Sequence, residues 1–328
     1  MNIKYLLMFI ALVQALIIAY FLGLNRHHSQ PRPSATPTGT LFTTLTKEQA
    51  DQSYRDGMRL LTEEGPARAQ AFFETRFQES GHLTLLYGLA WTQYLNQDQA
   101  AAERNLVYIL DHQPDTELAA HCHYLQGYLA LNQARHQDAI NGFEAAHHLY
   151  RLRDKQNNLF KCEIGMASAA VFQRRYERAD ELLNIAFSRF ESGKVKHLGH
   201  FYHLKAKVSF GRKRWAAART FAEKELAEFE RIGDALNTGV AYGDLAFFRG
   251  LTGDLAGSLA ANTEAESRLT QLQAQDKLIQ TKINRILLAH CEGRTEDRLV
   301  EEVRAHVEAQ NDLYAGEQLE LLEDWECP

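Results

Sequence analysis

The sequence predicts an all-α protein, an α-solenoid of about six helix pairs and a C-terminal capping pair, preceded by one transmembrane helix. Three observations lead to this prediction. Only Pro66 and Pro114 interrupt residues 41–327, a stretch rich in the strong helix formers Ala, Leu, Glu, Gln and Arg. A long apolar run stands near the N-terminus. A pattern of small and bulky residues then recurs through the rest of the chain.

The N-terminus is predicted to be a membrane anchor. Residues 1–4 form a short tail, and residues 5–24 are the apolar run, in which Gln14 is the only strongly polar side chain. A helix of that length spans about 30 Å, the thickness of the hydrocarbon core. A cleaved signal peptide is the alternative, but its apolar region is usually about 7–15 residues and ends at a small-residue cleavage site, which is missing here. The basic residues on the two sides are nearly balanced, so the orientation stays open.

The predicted organisation after the anchor has three parts. Residues 25–43 are rich in Ser, Pro and Thr and are predicted to be a flexible linker. Residues 44–314 are predicted to be the helical repeat domain, and residues 315–328 an acidic C-terminal tail.

The repeat consists of a small residue, an alanine twelve positions later and a bulky residue four positions beyond that. Gly127, Ala139 and Phe143 show it best. The small residue lets two antiparallel helices approach closely, and the bulky residue fills the space between them. The other sets are Gly57/Ala69/Phe73, Ala90/Ala102/Leu106, Ala167/Ala179/Leu183 and Ala206/Ala218/Ala222.

This pattern resembles the tetratricopeptide repeat (TPR) family, and the best-matching stretch is Tyr124 to Tyr128 with Ala139 and Phe143. Most intervals are about 40 residues instead of the usual length of about 34, which is similar to the extended-helix variants of peptide-sensing regulators and polarity adaptors. The pattern fades after Ala246, as expected of a capping pair. The architecture is also similar to anchored bacterial TPR proteins that assemble envelope, secretion or cytochrome-maturation machinery. The resemblance implies a single-pass protein of a bacterial inner membrane, with the side of its soluble domain unresolved.

Candidate binding residues lie on the first helix of each pair, which lines the concave surface in such arrays. Helical spacing places aromatic and histidine residues on one face of several of these helices, where they suit recognition of a peptide or protein segment. The alternative is that many of these rings are core side chains. The predicted contacts are Tyr87, Trp91, Tyr94, His121, Tyr124, Tyr128, His200, His203 and Phe210, with Lys161, Lys205, Lys207 and Arg212 for charge steering.

Charge is distributed unevenly around a formal net value of −6. Residues 192–222 contain many basic and no acidic residues, whereas acidic residues dominate from Glu292 onward. The basic region is expected to receive an acidic protein segment, with anionic lipid or a solvated face as alternatives. Nucleic acid is not expected, because the chain carries no nucleic-acid motif.

The acidic tail places Leu319, Leu322 and Trp325 three residues apart. This spacing predicts a short amphipathic motif that docks on a partner or back into the basic groove. A frayed terminus is the alternative, and association of two copies is another expectation for this chain.

We expect no enzyme, no catalytic residue, no cofactor and no metal site, because the common nucleophile, phosphate-loop and metal motifs are missing. The histidine-rich stretches do not place their side chains around one ion. Cys122 and Cys162 occupy equivalent positions in neighbouring repeats, where Cα atoms are expected about 10 Å apart, too far for a disulfide. Cys291 and Cys327 lie too far along the array to pair with them, so no disulfide framework is predicted.

Together these features predict a membrane-anchored adaptor or scaffold that binds a protein or peptide segment in its concave groove and assists assembly of a membrane or envelope complex. Two alternatives stay open. One is a regulatory sensor whose groove binds a peptide or small effector, and the other is a structural accessory subunit of a membrane complex.

Overall fold

A computed structural model describes residues 45–191, 198–310 and 312–328. The predicted N-terminal tail (1–4), transmembrane helix (5–24) and linker (25–43) lie outside these residues. Among the helices that are described, none is both long and apolar enough to cross a bilayer.

The described residues form fifteen α-helices and no β-strand, which confirms the all-α helical-repeat prediction. In chain order the helices are α1 Lys47–Glu64, α2 Pro66–Ser80, α3 Leu83–Leu95, α4 Gln99–Asp111, α5 Thr116–Asn132, α6 His136–Arg151, α7 Gln156–Phe172, α8 Tyr176–Glu191, α9 Gly199–Gly211, α10 Trp215–Ile232, α11 Ala235–Leu251, α12 Leu255–Gln271, α13 Ile279–Cys291, α14 Asp297–Gln310 and α15 Leu313–Glu323. A short 3-10 turn, Gln275–Lys277, precedes α13. Helices α1 to α14 follow one another as helix–turn–helix pairs, and α15 is an additional helix. The predicted boundary between repeat domain and tail, at 314/315, falls inside α15.

The turn within a pair has a recurring backbone conformation. One residue per turn adopts positive φ, at Gln97, Ala134, Arg174, Lys213, Gly253 and Gly293. An aspartate directly after two of these residues caps the next helix: Asp98 accepts a hydrogen bond from the Ala101 amide, and Asp254 from the Gly257 amide. The recurrence of this turn about every 40 residues gives the sequence its long repeat interval.

The chain divides into two compact units, which meet in sequence at Leu118 and Ala119. The first unit contains α1 to α4 and the first residues of α5. Its fully buried Phe73 packs between two glycines of first helices. A Cβ atom added at either Gly57 or Gly88 would lie 2.3 Å from a ring carbon of Phe73, so no larger side chain fits there without movement.

The second unit, from Ala119 to Pro328, uses the same arrangement around Phe143. A Cβ atom at Gly127 would lie 2.7 Å from the Phe143 ring, and one at Gly165 on the following first helix would lie 2.6 Å from it. Ala139 and its equivalents in the next pairs are fully buried. The small–alanine–bulky pattern therefore marks the close contacts between helices that it predicts.

Cys291, at the end of α13, forms a disulfide with Cys327, and their Cα atoms are 5.4 Å apart. The expectation that the chain has no disulfide was wrong. It considered positions along the repeats only, whereas α15 turns back and packs against α13 and α14. Cys122 and Cys162 are buried free thiols, as the repeat geometry predicts.

Candidate functional site

The C-terminal segment, defined as residues 312–328, lies back on the second unit. Its helix α15 packs against α13 and α14 and also contacts α7. Asp312 caps α15 by accepting a hydrogen bond from the Ala315 amide. The apolar stripe of α15, which includes Leu319 and Leu322, is buried. The segment thus adopts the intramolecular arrangement that the sequence offered as one alternative for the acidic tail.

Two aromatic side chains anchor the ends of this segment. The ring of Tyr314 lies edge-on to Phe210, with centroids 5.4 Å apart, and the Lys207 Nζ atom is 4.2 Å from the Tyr314 centroid. At the other end, Trp325 meets Trp215 edge-on at 6.0 Å. Both geometries are favourable for aromatic rings, and a cation over a ring adds electrostatic attraction.

Acidic residues between the anchors meet a basic turn. Arg174, in the turn between α7 and α8, places Nη1 3.3 Å from Glu320 and Nε 3.8 Å from Glu317. Its Nη2 also donates a hydrogen bond to the main-chain oxygen of Leu313 at 3.2 Å. The Tyr176 hydroxyl donates a hydrogen bond to Glu317. Burial, with the Glu317 carboxylate, raises the pKa of Tyr176, so the phenol remains a donor at neutral pH.

We call the surface beneath the segment the tail-binding face. It consists of residues at the ends of first helices, in the adjoining turns and at the starts of second helices. These residues are Arg174, Tyr176, Lys207, Phe210 and Trp215.

A cluster of ionisable groups lies near Tyr314. His203 of α9 places Nδ1 2.9 Å from Glu225 on α10 and 2.9 Å from Asp244 on α11. Burial would lower the pKa of His203, but the two carboxylates outweigh that effect and raise its pKa to about 9. Burial also raises the pKa of Glu225, whereas for Asp244 the hydrogen bond and charge of His203 overcome burial and lower the pKa.

The polar atoms around this cluster are incompletely hydrogen-bonded. His203 Nδ1 donates a hydrogen bond to Oε1 of Glu225 and also lies 2.9 Å from Oδ2 of Asp244, whereas Oε2 of Glu225 has no hydrogen-bond partner. The hydroxyl of Tyr314 and both amide atoms of Gln318, on α15, are also buried without a hydrogen-bond partner. Most native buried polar atoms are paired, so this group of atoms is an unusual feature.

His203, Glu225 and Asp244 are the described residues that could hold a metal ion, since they offer ligand atoms within 4.8 Å of one another. Zinc and similar ions bind the neutral imidazole, however, and here the two carboxylates hold a proton on it. Lys207 supplies a further positive charge near both carboxylates. The cluster is thus balanced in charge by the chain's own cations.

A second buried ion pair lies on α7 and α8. Glu163 is only 2% exposed, and Arg189 binds it through Nη2 at 2.6 Å and Nε at 2.8 Å. His147 Nε2 is 3.1 Å from the same carboxylate, and Gln156 accepts a hydrogen bond from Arg189 Nη1. These contacts outweigh burial and lower the pKa of Glu163. The network joins neighbouring pairs and has a structural role.

The predicted contact residues of the second unit fall into four groups. Lys207 and Phe210 meet the C-terminal segment, and His203 belongs to the buried cluster. Lys161 and His200 are exposed. The remaining residues take part in local contacts within the unit. Lys205 lies 2.6 Å and Arg212 2.8 Å from Asp180. The hydroxyls of Tyr124 and Tyr128 are 3.1 Å apart, and both rings lie edge-on to Phe143. His121 lies 2.7 Å from the Tyr150 hydroxyl.

In the first unit the aromatic stripe is divided between core and surface. Tyr87 is 5% exposed and packs against Tyr54, with ring centroids 6.1 Å apart. Trp91 and Tyr94 are partly exposed, and their centroids are 5.9 Å apart. Tyr87 is therefore a core residue, as the alternative interpretation of the stripe expected, and Trp91 and Tyr94 present an aromatic pair at the surface.

Three residues of the tail-binding face are absent from the predicted contact set. Arg174 and Tyr176 lie in or beside a turn, and Trp215 starts a second helix, whereas the prediction considered first helices only. Two of the three tryptophans, Trp215 and Trp325, meet each other. Their scarcity was a signal that could have placed both in the site.

Comparisons with known proteins address the fold. No family model and no protein of curated function matches the chain. Among solved structures, the chain is similar to a Rap protein complexed with competence and sporulation factor, at 12% identity and a TM-score of 0.57, covering 84% of this chain and 96% of that one. It is also similar to BtubC (BKLC) from P. vanneervenii, at 17% identity and a TM-score of 0.48, covering 69% and 90%. The likeness to the Rap protein supports a TPR-like helical-repeat fold.

Proposed function

We propose that this chain is a protein-binding adaptor whose tail-binding face takes an acidic amphipathic helix. The observation that carries this proposal is that the face already holds such a helix, supplied by the C-terminal segment. A surface that accommodates one acidic helix in the same molecule has the shape and charge to accept a similar helix from a partner.

The contacts define the chemistry of that partner. An aromatic residue at the start of its helix would occupy the position of Tyr314 against Phe210 and Lys207. Two acidic residues three positions apart would take the places of Glu317 and Glu320 near Arg174. Recognition of an amphipathic helix through aromatic anchors, with charges fixing its register, is a recurring mode of peptide binding.

The adaptor role needs no catalytic residue, cofactor or metal. The Rap protein of similar fold is complexed with competence and sporulation factor, so binding a partner is within the capacity of this fold. Residues 5–24 would anchor the chain in a membrane and raise its effective concentration near membrane partners. Assembly of a membrane or envelope complex is the process that we propose it serves.

The direct test uses a fluorescent peptide of residues 312–328 that carries Cys327→Ser. The receptor is the full chain with Tyr314→Ala and Trp325→Ala, which remove both aromatic anchors of its own segment, and with Cys291→Ser, which removes the disulfide that holds the segment in place. We expect saturable binding by fluorescence anisotropy, weakened at least about tenfold by Arg174→Glu with Lys207→Glu. A glutamate at 174 would face Glu317 and Glu320, and one at 207 would replace the cation over the Tyr314 ring by an anion.

The matched control is Lys213→Glu in the same receptor, since Lys213 is an exposed lysine in the turn before Trp215. It should leave the affinity within about twofold, as expected for a charge that the segment does not meet. Absence of saturable binding, or equal losses from the control and from the charge reversals, would reject the adaptor proposal.

A further inference from the structure

We infer that Cys291 and Cys327 form a reversible thiol–disulfide site that locks the C-terminal segment onto the tail-binding face and so controls access of a partner to it. This inference rests on the proposed function. A protein dithiol would reduce this disulfide, and the partner that then binds the tail-binding face is the acidic helix described above.

The disulfide holds the segment at the end opposite to α14. Main-chain continuity holds its beginning next to α14, and Cys327 is bonded to Cys291 on α13. Two residues earlier in the chain, the Trp325 main-chain oxygen lies 2.7 Å from Nε2 of His290. The covalent bond thus keeps Trp325 beside Trp215 and closes the segment over the face like a strap fixed at both ends.

The non-covalent contacts beneath the strap are incomplete. The Tyr314 hydroxyl, both amide atoms of Gln318 and the Trp325 Nε1 atom are buried without a hydrogen-bond partner. Each would bind water if the segment left the face, and an unmade buried hydrogen bond opposes docking. The Glu320 side chain is 67% exposed, so its pairing with Arg174 is weakened by solvent and salt.

Removal of the segment would also let water reach the cluster of His203, Glu225 and Asp244. Oε2 of Glu225 has no hydrogen-bond partner, and Tyr314 lies near both carboxylates. Water reaching the cluster would hydrate both carboxylates. Because these hydrogen bonds are missing, docking of the segment depends more on the disulfide than docking of a fully hydrogen-bonded helix would.

The disulfide has a large effect on the docking equilibrium of the segment. For a loop of about 15 residues, the length from the start of α15 to Cys327, the chain entropy that the undocked segment gains when the disulfide is cleaved corresponds to roughly a hundredfold change in the docking equilibrium. Cleavage of one bond can therefore convert a segment that stays docked into one that a partner helix displaces.

The two cysteines are accessible for exchange. Both are partly exposed, whereas Cys122 and Cys162 are fully buried. A thiolate of the dithiol attacks one sulfur of the disulfide and forms a mixed disulfide, and its second thiol then displaces the remaining cysteine. Two electrons and two protons pass to Cys291 and Cys327, which become thiols, and the dithiol becomes a disulfide.

The test compares the oxidised and reduced full chain in detergent, with the peptide of residues 312–328 carrying Cys327→Ser as the probe. We expect the oxidised chain to bind the peptide at least about tenfold more weakly than the dithiothreitol-reduced chain. A Cys291→Ser chain should bind like the reduced protein whether or not dithiothreitol is present, which controls for other effects of the reductant. Hydrogen exchange of α15 amides provides a second readout and should become faster on reduction.

Equal peptide affinity in both redox states, together with unchanged exchange of α15, would overturn the inference. If the anchor-free receptor binds the peptide while the redox state has no effect, the adaptor stands and the lock fails. If reduction speeds exchange but no receptor binds the peptide, the proposed function fails and the lock on the segment is retained.

Discussion

Protonation of His203 couples the stability of the second unit to pH. Its pKa of about 9 exceeds the value of about 6.5 expected in the unfolded chain, so the folded state binds the extra proton between these values. The stabilisation is complete below about pH 6.5 and is lost as the pH rises towards 9. The charged groups that act on the imidazole are Glu225, Asp244 and Lys207. Tyr314, on α15, lies near both carboxylates. The raised pKa of Glu225 acts in the same direction at lower pH.

We predict that the free energy of unfolding falls by about 1–3 kcal/mol between pH 6.5 and 9, and that His203→Gln removes most of this slope. Urea denaturation at several pH values measures it. His200→Gln, an exposed histidine on the same helix, is the control and should keep the parent slope. Parallel curves for the parent chain and His203→Gln would contradict the prediction.

Arg189 is predicted to be the most important single cation for stability on α8. Arg189→Met would leave the buried Glu163 carboxylate without its bidentate partner, which should cost about 3–5 kcal/mol of unfolding free energy. Arg178→Met on the same helix removes an exposed pair with Glu181 and should cost less than about 1 kcal/mol. Chemical denaturation of both variants tests the contrast, and similar losses would show that burial of Glu163 is not the cause.

At the residue scale, the sequence predicted where basic residues are concentrated but did not predict which acidic residue pairs with them. Lys205 and Arg212 belong to a stretch with no acidic residue, and both were expected to contact an acidic segment of a partner. In the structure Asp180 on the preceding second helix pairs with both of them. A count along the chain cannot show this, because the neutralising carboxylate lies in the neighbouring pair.

Packing between helices was the feature that the sequence predicted best at the scale of elements. The pairing of Gly127 with Phe143 follows from local spacing alone, since helical geometry fixes which residues of adjacent helices meet. The second glycine against the same ring, Gly165, was not identified, although it lies one repeat further along. The position of α15 was harder to predict, because its partners Arg174, in the turn after α7, and Phe210, on α9, are more than 100 residues away in sequence.

Substitution of Gly165 by alanine tests that packing. An alanine in a helix is normally favoured over glycine by about 1 kcal/mol, but here its Cβ would lie 2.6 Å from the Phe143 ring. We predict a net loss of about 1–3 kcal/mol, the usual cost of overpacking. Phe143→Leu in the same chain should recover part of the loss that Gly165→Ala causes.

The control for this prediction is Gly243→Ala on α11. A Cβ atom there would be 3.4 Å from the Gln280 side chain, an ordinary contact, so the helix preference should dominate. We expect stabilisation of about 0.5–1 kcal/mol, measured by thermal and urea unfolding. Equal effects at the two glycines would show that the ring contact of Gly165 does not limit side-chain size.

For the whole molecule, the fold class was predictable and the binding surface only in part. Repeating helix pairs are set by patterns that recur within about 40 residues, so one sequence contains several independent copies of the signal. The tail-binding face occurs once and forms from Arg174, Trp215 and a segment that returns from the C-terminus. Its recognition depends on tertiary contacts that no local pattern encodes, and the same return brings Cys327 to Cys291.

The disulfide also bears on the side of the membrane where the repeats reside. Disulfides persist in oxidising compartments and are rare in the cytosol, so we predict that the repeat domain lies on the oxidising side. Ser34→Cys, in the predicted linker outside the described residues, provides a reporter close to the proposed anchor. It should react with a membrane-impermeant maleimide in intact spheroplasts.

The native cysteines should contribute little background to this labelling experiment. Cys122 and Cys162 are fully buried, and burial raises the pKa of both thiols, so they hold little of the reactive thiolate. Cys291 and Cys327 present no free thiol while they are joined. The parent chain should therefore give little signal, and detergent-opened cells provide the full-labelling reference. Protection of Ser34→Cys until lysis would instead place the repeats in a reducing compartment, where the lock on the C-terminal segment would close only under oxidation.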